Sequence, residues 1–129
     1  MHGIDTNVVV RLLTADDAGQ AQAARQAVEG GSIFLGVTVL LEAEWVLRAG
    51  YHFAPAQIAG AFRGLAGLPN MTLEEPSQIA AALEWMEGGM DFADALHLAR
   101  SGDCEIFLTF DRKFARQAEK LGVTTVVAL

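Results

Sequence analysis

Asp91-Phe92-Ala93-Asp94-Ala95-Leu96-His97-Leu98-Ala99-Arg100-Ser101-Gly102-Asp103-Cys104-Glu105-Ile106-Phe107-Leu108-Thr109-Phe110-Asp111 reads as a helix followed by a short apolar strand, with an acid at each junction. Gly88-Gly89 precedes it, Asp91 stands in an N-cap position, and Asp94 is three residues on, where a capping-box partner belongs. Phe92, Ala95, Leu96 and Ala99 form the apolar face, and Gly102 closes the helix. The uninterrupted run Ile106-Phe107-Leu108 predicts a strand covered on both faces. Asp111 falls just beyond it. In open α/β sheets, ligands sit at the carboxyl ends of parallel strands. The expectation is therefore that other acids of the chain converge on this place to hold a divalent metal.

The same alternation runs outward in both directions. Gly3-Ile4-Asp5 opens a first short strand, and Thr6-Asn7 turns the chain into a helix through the valines that follow. Asp16-Asp17 caps a helix over Ala18–Glu29 with Ala21, Ala24 and Val28 inward, and Gly30-Gly31 stops it. Ile33-Phe34-Leu35 is a second strand, with Thr38 capping the helix after it. Pro55 starts a further helix through Ile58, Phe62 and Leu65, ended by Gly67 and Pro69-Asn70. Met71-Thr72-Leu73 is a third strand. Pro76 begins a helix with Ile79, Leu83 and Met86 inward. After Asp111 come a basic helix and a terminal strand, Thr124-Thr125-Val126-Val127. Short apolar strands alternating with helices predict an α/β fold with three layers, helices on both faces of a central, mainly parallel sheet of four to five strands.

At 129 residues, with 52% apolar and 19% charged residues, the expectation is a single globular domain over residues 1–129. The one cysteine, Cys104, rules out an internal disulfide and fits a reducing cytosol, with a packing role beside the next strand. The N-terminus carries no basic region or long apolar stretch of the kind a signal peptide needs. The longest apolar segment, Ile33 to Leu41, is far short of the ~18 residues of a membrane span. These features predict a cytoplasmic protein without a membrane partner. A net charge of −7 argues at face value against nucleic acid. One bound Mg²⁺ would bring −7 to −5 and two would bring it to −3. The charge is also uneven: Arg112, Arg116 and Lys120 share one helical face at four-residue spacing. That stripe is a solvated surface opposite Phe114, Ala118 and Leu121, and a candidate for phosphate contacts.

In the helix after the second strand, a 100° step puts Val39, Leu40, Ala43, Val46 and Leu47 on the core stripe. Glu44 then pairs with Arg48 as ordinary surface chemistry. Glu42 falls between Val46 and Ala49 at the edge of the stripe, where a partly buried carboxylate needs a compensating partner. No basic residue lies one turn away. Asp5, Glu42, Asp94 and Asp111 thus form a set. Each has a plainer reading: Asp5 as a turn residue, Glu42 as a rim glutamate, Asp94 as a capping partner, Asp111 as a cap for the basic helix. Together they would oppose one another's ionisation unless a cation lay among them. An oxygen-only set suits Mg²⁺ or Mn²⁺ rather than Zn²⁺, and such ions serve phosphodiester hydrolysis. His97, one turn past Asp94, reads as a packed or hydrogen-bonded side chain. Trp45 and Trp85 read as core or dimer packing.

These motifs resemble those of PIN-domain nucleases. Ile4-Asp5-Thr6-Asn7, Leu40-Leu41-Glu42-Ala43-Glu44-Trp45, Asp91-Phe92-Ala93-Asp94-Ala95-Leu96-His97-Leu98-Ala99 and Leu108-Thr109-Phe110-Asp111-Arg112-Lys113 occur in the family's order and cover essentially the whole chain. The short length is similar to that of VapC-type toxins of bacterial toxin–antitoxin pairs. The resemblance implies metal ligands at Asp5, Glu42, Asp94 and Asp111, with Thr6, Asn7 and Thr109 as supporting polar groups and Asp91 mainly a helix cap. It further implies Mg²⁺- or Mn²⁺-dependent cleavage of RNA, in which the acids hold metal, water attacks phosphorus and the 3′-oxygen leaves. A homodimer restrained by a cognate antitoxin is implied as well.

Two other readings were weighed against these motifs. A dehalogenase-type phosphotransferase wants a second Asp two residues after the first, where this chain has Asn7, and a response-regulator receiver wants an acidic pair after the first strand. The alternative of a different class is a non-catalytic PIN-like module that only binds RNA or a protein.

Overall fold

Asp5 stands two residues past the first strand and caps the first helix, and this short junction sets the pattern for the chain. The computed structural model describes all residues, Met1–Leu129, as five strands and seven helices. They divide into two compact units, Met1–Pro76 and Ser77–Leu129.

In the first unit, strands β1 (His2–Gly3), β2 (Ile33–Leu35) and β3 (Met71–Leu73) form a parallel sheet in that order. Ile33 pairs with His2 on one side and Met71 on the other. Helices α1 (Thr6–Leu13) and α2 (Ala18–Glu29) connect β1 to β2, and α3 (Val37–Tyr51) and α4 (Pro55–Ala66) connect β2 to β3. The β-branched run Val8-Val9-Val10 is helical because burial outweighs its weak helix propensity: Val9 and Val10 are sealed in the core, and α1 packs on both α2 and α3. Ile33 and Leu35 are likewise fully covered. Asp17 caps α2 by accepting the Gln20 N–H at 2.9 Å. Asn70 donates to the carbonyls of Val28 and Gly31, fixing the start of β3 against the end of α2.

The α3 cap differs from the sequence expectation. The helix begins at Val37, not after Thr38, and Gly36 at its N-cap has no side chain to offer. Glu74, from the turn after β3, reaches across and accepts the Val37 N–H at 2.8 Å. A polar clasp also joins three helices. Arg11 donates to Gln20 Oε1 at 2.6 Å, to Asp16 Oδ1 at 3.1 Å and to the Tyr51 hydroxyl at 3.1 Å, while that hydroxyl donates to Asp16 Oδ2 at 2.6 Å. The Tyr51 bond holds the Asp16 carboxyl below the usual aspartate range.

The second unit contains α5 (from Pro76 to Glu87), α6 (Phe92–Ala99), β4 (Ile106–Thr109), α7 (Arg112–Glu119) and β5 (Thr125–Ala128). Strands β4 and β5 pair in parallel, Ile106 with Thr125 and Leu108 with Val127. Phe107 meets Phe114 of α7 edge-on, with ring centroids 5.7 Å apart.

The pairing is parallel throughout, as the alternation of elements predicts, but the strands form ladders of three and two rather than one sheet of four to five. β1 is only two residues long, because Asp5 already belongs to the cap of α1, so it offers little backbone for a further ladder. The expectation that β4 is covered on both faces is also corrected. Ile106 and Leu108 are 53% and 60% exposed, and only the alternate residue Phe107 turns toward α7. Cys104 is exposed rather than packed. No helix is long and apolar enough to cross a membrane.

Two substitutions separate the packing and capping contributions. Leu47→Ala empties a fully buried position in α3 and is expected to cost about 2–5 kcal/mol in urea denaturation. Glu74→Ala removes only the borrowed cap and is expected to cost about 1 kcal/mol.

Candidate functional site

Besides Asp17, three acids sit where a strand or turn becomes a helix, and each spends one oxygen on the helix it starts. Asp5 Oδ1 accepts the Val8 N–H at 3.1 Å, Asp91 Oδ2 the Asp94 N–H at 3.1 Å, and Asp111 Oδ1 the Phe114 N–H at 3.0 Å. The exposed N–H groups of a helix start favour a negative charge beside them. The second oxygen of each carboxylate keeps its capacity to accept or ligate. Asp111 is braced further by its own N–H, which donates to Thr109 Oγ1 at 3.0 Å.

In the first unit, Asp5 and Glu42 line one cleft of about 550 Å³, together with Thr6, Asn7, Thr38 and Val46. The cleft lies past the carboxyl ends of β1 and β2, where α1 and α3 begin. The face of α3 that meets it is the reverse of the expected one. The buried stripe of α3 is Val37, Leu40, Ala43, Glu44 and Leu47, and Glu42 is exposed on the opposite side with Thr38 and Val46. Glu44 is the buried acid, 3% exposed, and Arg48 neutralises it through Nε at 2.8 Å from Oε2. The sequence reading places Glu44 on ordinary surface and Glu42 on the core rim; the buried stripe keeps Leu40, Ala43 and Leu47 but is centred further toward Val37 and Glu44, which leaves Glu42 outside it. Thr38, expected as a cap, instead lines the cleft one turn before Glu42. The spacing of Thr38, Glu42 and Val46 at four residues was the available signal.

In the second unit, Asp94 lies in the first turn of α6, half-buried. Burial holds its carboxyl above the usual aspartate range, the charges of Asp91 and Asp111 push it further up, and His97 opposes them. Asp91, Asp94 and Asp111 are therefore within electrostatic reach of one another. His97 is exposed, not packed as expected. Trp45 is 58% exposed and takes no part in the core, whereas Trp85 is half-buried. Arg112 and Arg116 line a groove between α7 and β5, and Lys120 lines a second one beside Trp85.

The acids thus stand as two sets, one in each unit, and no group of three or more His, Cys, Asp or Glu side chains is spaced to hold a metal ion. The donor types lining the first-unit cleft fit Mg²⁺ or Mn²⁺: carboxylates, hydroxyls and an amide, without a thiol or imidazole among them.

An α/β protein with parallel strands, acids at the strand-to-helix junctions and an oxygen-lined cleft past the strand ends belongs to a class that binds ligands at that edge. The family is given by the sequence as a whole: the PIN domain family matches residues 4–120, and the chain belongs to it. Among solved structures, VapC20 of Mycobacterium tuberculosis, a sarcin–ricin loop cleaving toxin, is 21% identical over 98% of each chain, with a TM-score of 0.45. No curated protein matches.

The raised Asp94 carboxyl has a measurable consequence. Its native pKa lies above the unfolded one, so its contribution to stability is present at low pH and is lost as pH rises from the unfolded value through the native one. Asp94→Asn is therefore expected to stabilise the metal-free protein at neutral pH and to flatten that decline. Urea denaturation in EDTA, from mildly acidic to neutral pH, checks this; equal slopes for the two proteins would contradict it.

Proposed function

We propose that this chain is a Mg²⁺- or Mn²⁺-dependent endoribonuclease, the toxin of a bacterial toxin–antitoxin pair. The observation that carries the reading is membership of the PIN domain family across residues 4–120; the acids Asp5, Glu42, Asp94 and Asp111 of the four sequence motifs support it. Both units together serve as one domain, and Asp5, Glu42, Asp94 and Asp111 hold the metal. A divalent ion held there supplies a Lewis acid for the charge that develops on a phosphate and makes an attacking water more acidic.

The chain's own groups do the rest. Thr6, Asn7 and Thr109 orient the acids, and the caps on α1 and α7 fix the Asp5 and Asp111 carboxylates in direction. Asp91 acts mainly as the cap of α6 and raises the negative potential around Asp94. Arg112, Arg116 and Lys120 take RNA phosphates, which offsets the repulsion expected from a chain of net charge −7. The protein acts in the cytoplasm as a homodimer, and a basic segment of its antitoxin covers the acidic cleft.

The competing reading is a PIN module that binds RNA or a protein without cutting it; the cleft of about 550 Å³ lined by Asp5 and Glu42 could serve either. Labelled RNA incubated with the purified chain and Mg²⁺ or Mn²⁺ separates the two. Cleavage abolished by EDTA is expected, with Asp5→Asn and Asp94→Asn each slower by roughly a hundredfold or more, the scale of losing one electrostatic stabiliser. Mn²⁺ is also expected to raise the melting temperature of the native chain and to lose most of that effect on Asp5→Asn. An unmoved melting curve together with intact RNA, single-stranded and structured alike, supports the binding module.

A further inference from the structure

Glu74 follows β3 and makes two bonds, one on each side of Gly36. Its N–H donates to the Leu35 carbonyl at 3.0 Å, which extends the β2–β3 pairing, and its Oε1 accepts the Val37 N–H at 2.8 Å. The side chain of an N-cap residue takes the second or third N–H of its helix, not the first. The Val37 N–H is the first of α3, so the Glu74 bond ties strand to helix in a way that a side chain at position 36 would not replace. Glu75, the next residue, stands at φ 50°, a conformation that few side chains adopt and that persists only where the surroundings hold it. Glu74 itself lies outside the lining of the cleft.

We propose that Glu74 is a positioning residue for this cleft, holding the start of α3 so that Thr38 and Glu42 stay in place opposite Asp5 and Asn7; the inference rests on the metal-dependent reading of the cleft. Thr38, Val39, Glu42 and Val46 are the α3 wall. Thr38 follows Val37 directly, and Glu42 stands five residues on, about 7.5 Å along the helix axis. The far end of α3 is tied separately, through the Tyr51 hydroxyl to Arg11 and Asp16. Without the Glu74 bond the start is the freer end, and the cleft residues are those nearest to it. The buried stripe of Leu40, Ala43 and Leu47 keeps the helix packed, so the displacement is small. A small displacement matters little to folding and much to a cation. Ligands have to be held within about 0.5 Å of their working geometry, and Mg²⁺ demands a near-ideal octahedron.

Capping and positioning are separated by moving the cap. Gly36→Ser supplies a side-chain cap from within α3: the backbone there, φ −80° and ψ 154°, is usual for a capping serine, and a Cβ meets Phe34 at 3.6 Å, an ordinary contact. The full chain and its variants are stripped with EDTA and titrated with Mn²⁺, whose free ion is read by its electron paramagnetic resonance, and urea midpoints are measured without metal. Glu74→Ala is expected to lower the urea midpoint and to weaken Mn²⁺ binding about tenfold, the low end of what losing a partner behind a metal ligand costs. Glu74→Gln keeps an oxygen for the Val37 N–H and is expected to bind Mn²⁺ as the native chain does. Glu74→Ala with Gly36→Ser is expected to recover the urea midpoint but not the Mn²⁺ affinity. Recovery of both by the double variant makes Glu74 a cap alone and overturns the proposal, as does native affinity in Glu74→Ala. Equal weakening in Glu74→Gln overturns it too, because charge and not the bond would then be acting. Each of these leaves the nuclease reading standing, whereas a native chain that takes up no Mn²⁺ overturns both.

Discussion

A carboxylate that begins a helix is the constraint on which the rest of this structure depends. Asp5, Asp91 and Asp111 each close a strand or turn and accept an N–H from the first turn of the next helix. One oxygen is spent on folding and the other is left facing outward. The arrangement keeps a charged group at a strand end without a basic partner, because the helix start itself supplies the positive end of a dipole. It also removes rotational freedom, so each acid is already oriented before any ligand arrives. Asp94 and Glu42 are different. Neither caps a helix, and burial together with the charges of Asp91 and Asp111 raises the Asp94 carboxyl.

Helix α3 shows how one element can carry two acids with opposite fates. Glu44 lies on the buried stripe and is tolerable there only because Arg48 meets it at 2.8 Å. Glu42, two residues earlier, points into the cleft that Asp5 lines. The helix is anchored at its start by Glu74 rather than by a residue of its own, so the direction in which Glu42 points depends on the turn that follows β3. The clasp of Arg11, Asp16 and Tyr51 ties α1 to the far end of the same helix. Both walls of the cleft are thereby fixed from outside it.

What could be read from the residues was mostly local. Helix starts at Asp5, Asp91 and Asp111, the Asp17 cap, and the Pro55 and Pro76 helix starts are written in short-range preferences and stand in the structure as expected. The misreadings all needed information from elsewhere in the chain. Glu74 capping α3 joins residues 37 positions apart, beyond any helix-start signal. Which flank of the Leu40, Ala43 and Leu47 stripe is buried is decided by the helices that pack on α3, and that choice exchanged the environments of Glu42 and Glu44. The apolar run at Ile106 looks fully buried by composition alone, yet its strand is an edge in a two-stranded ladder. Cys104 reads as a packing residue by its type, and type does not decide exposure in a turn.

Asparagine starts helices as well as aspartate does. At positions 5 and 111, a change of one nucleotide in an aspartate codon would therefore keep the architecture while erasing a negative charge. Most protein sites punish such a loss through misfolding, and selection removes the result. Under the proposed function the scaffold would survive its own inactivation, which would open an easy evolutionary route from a hydrolase to an inert relative of the same fold.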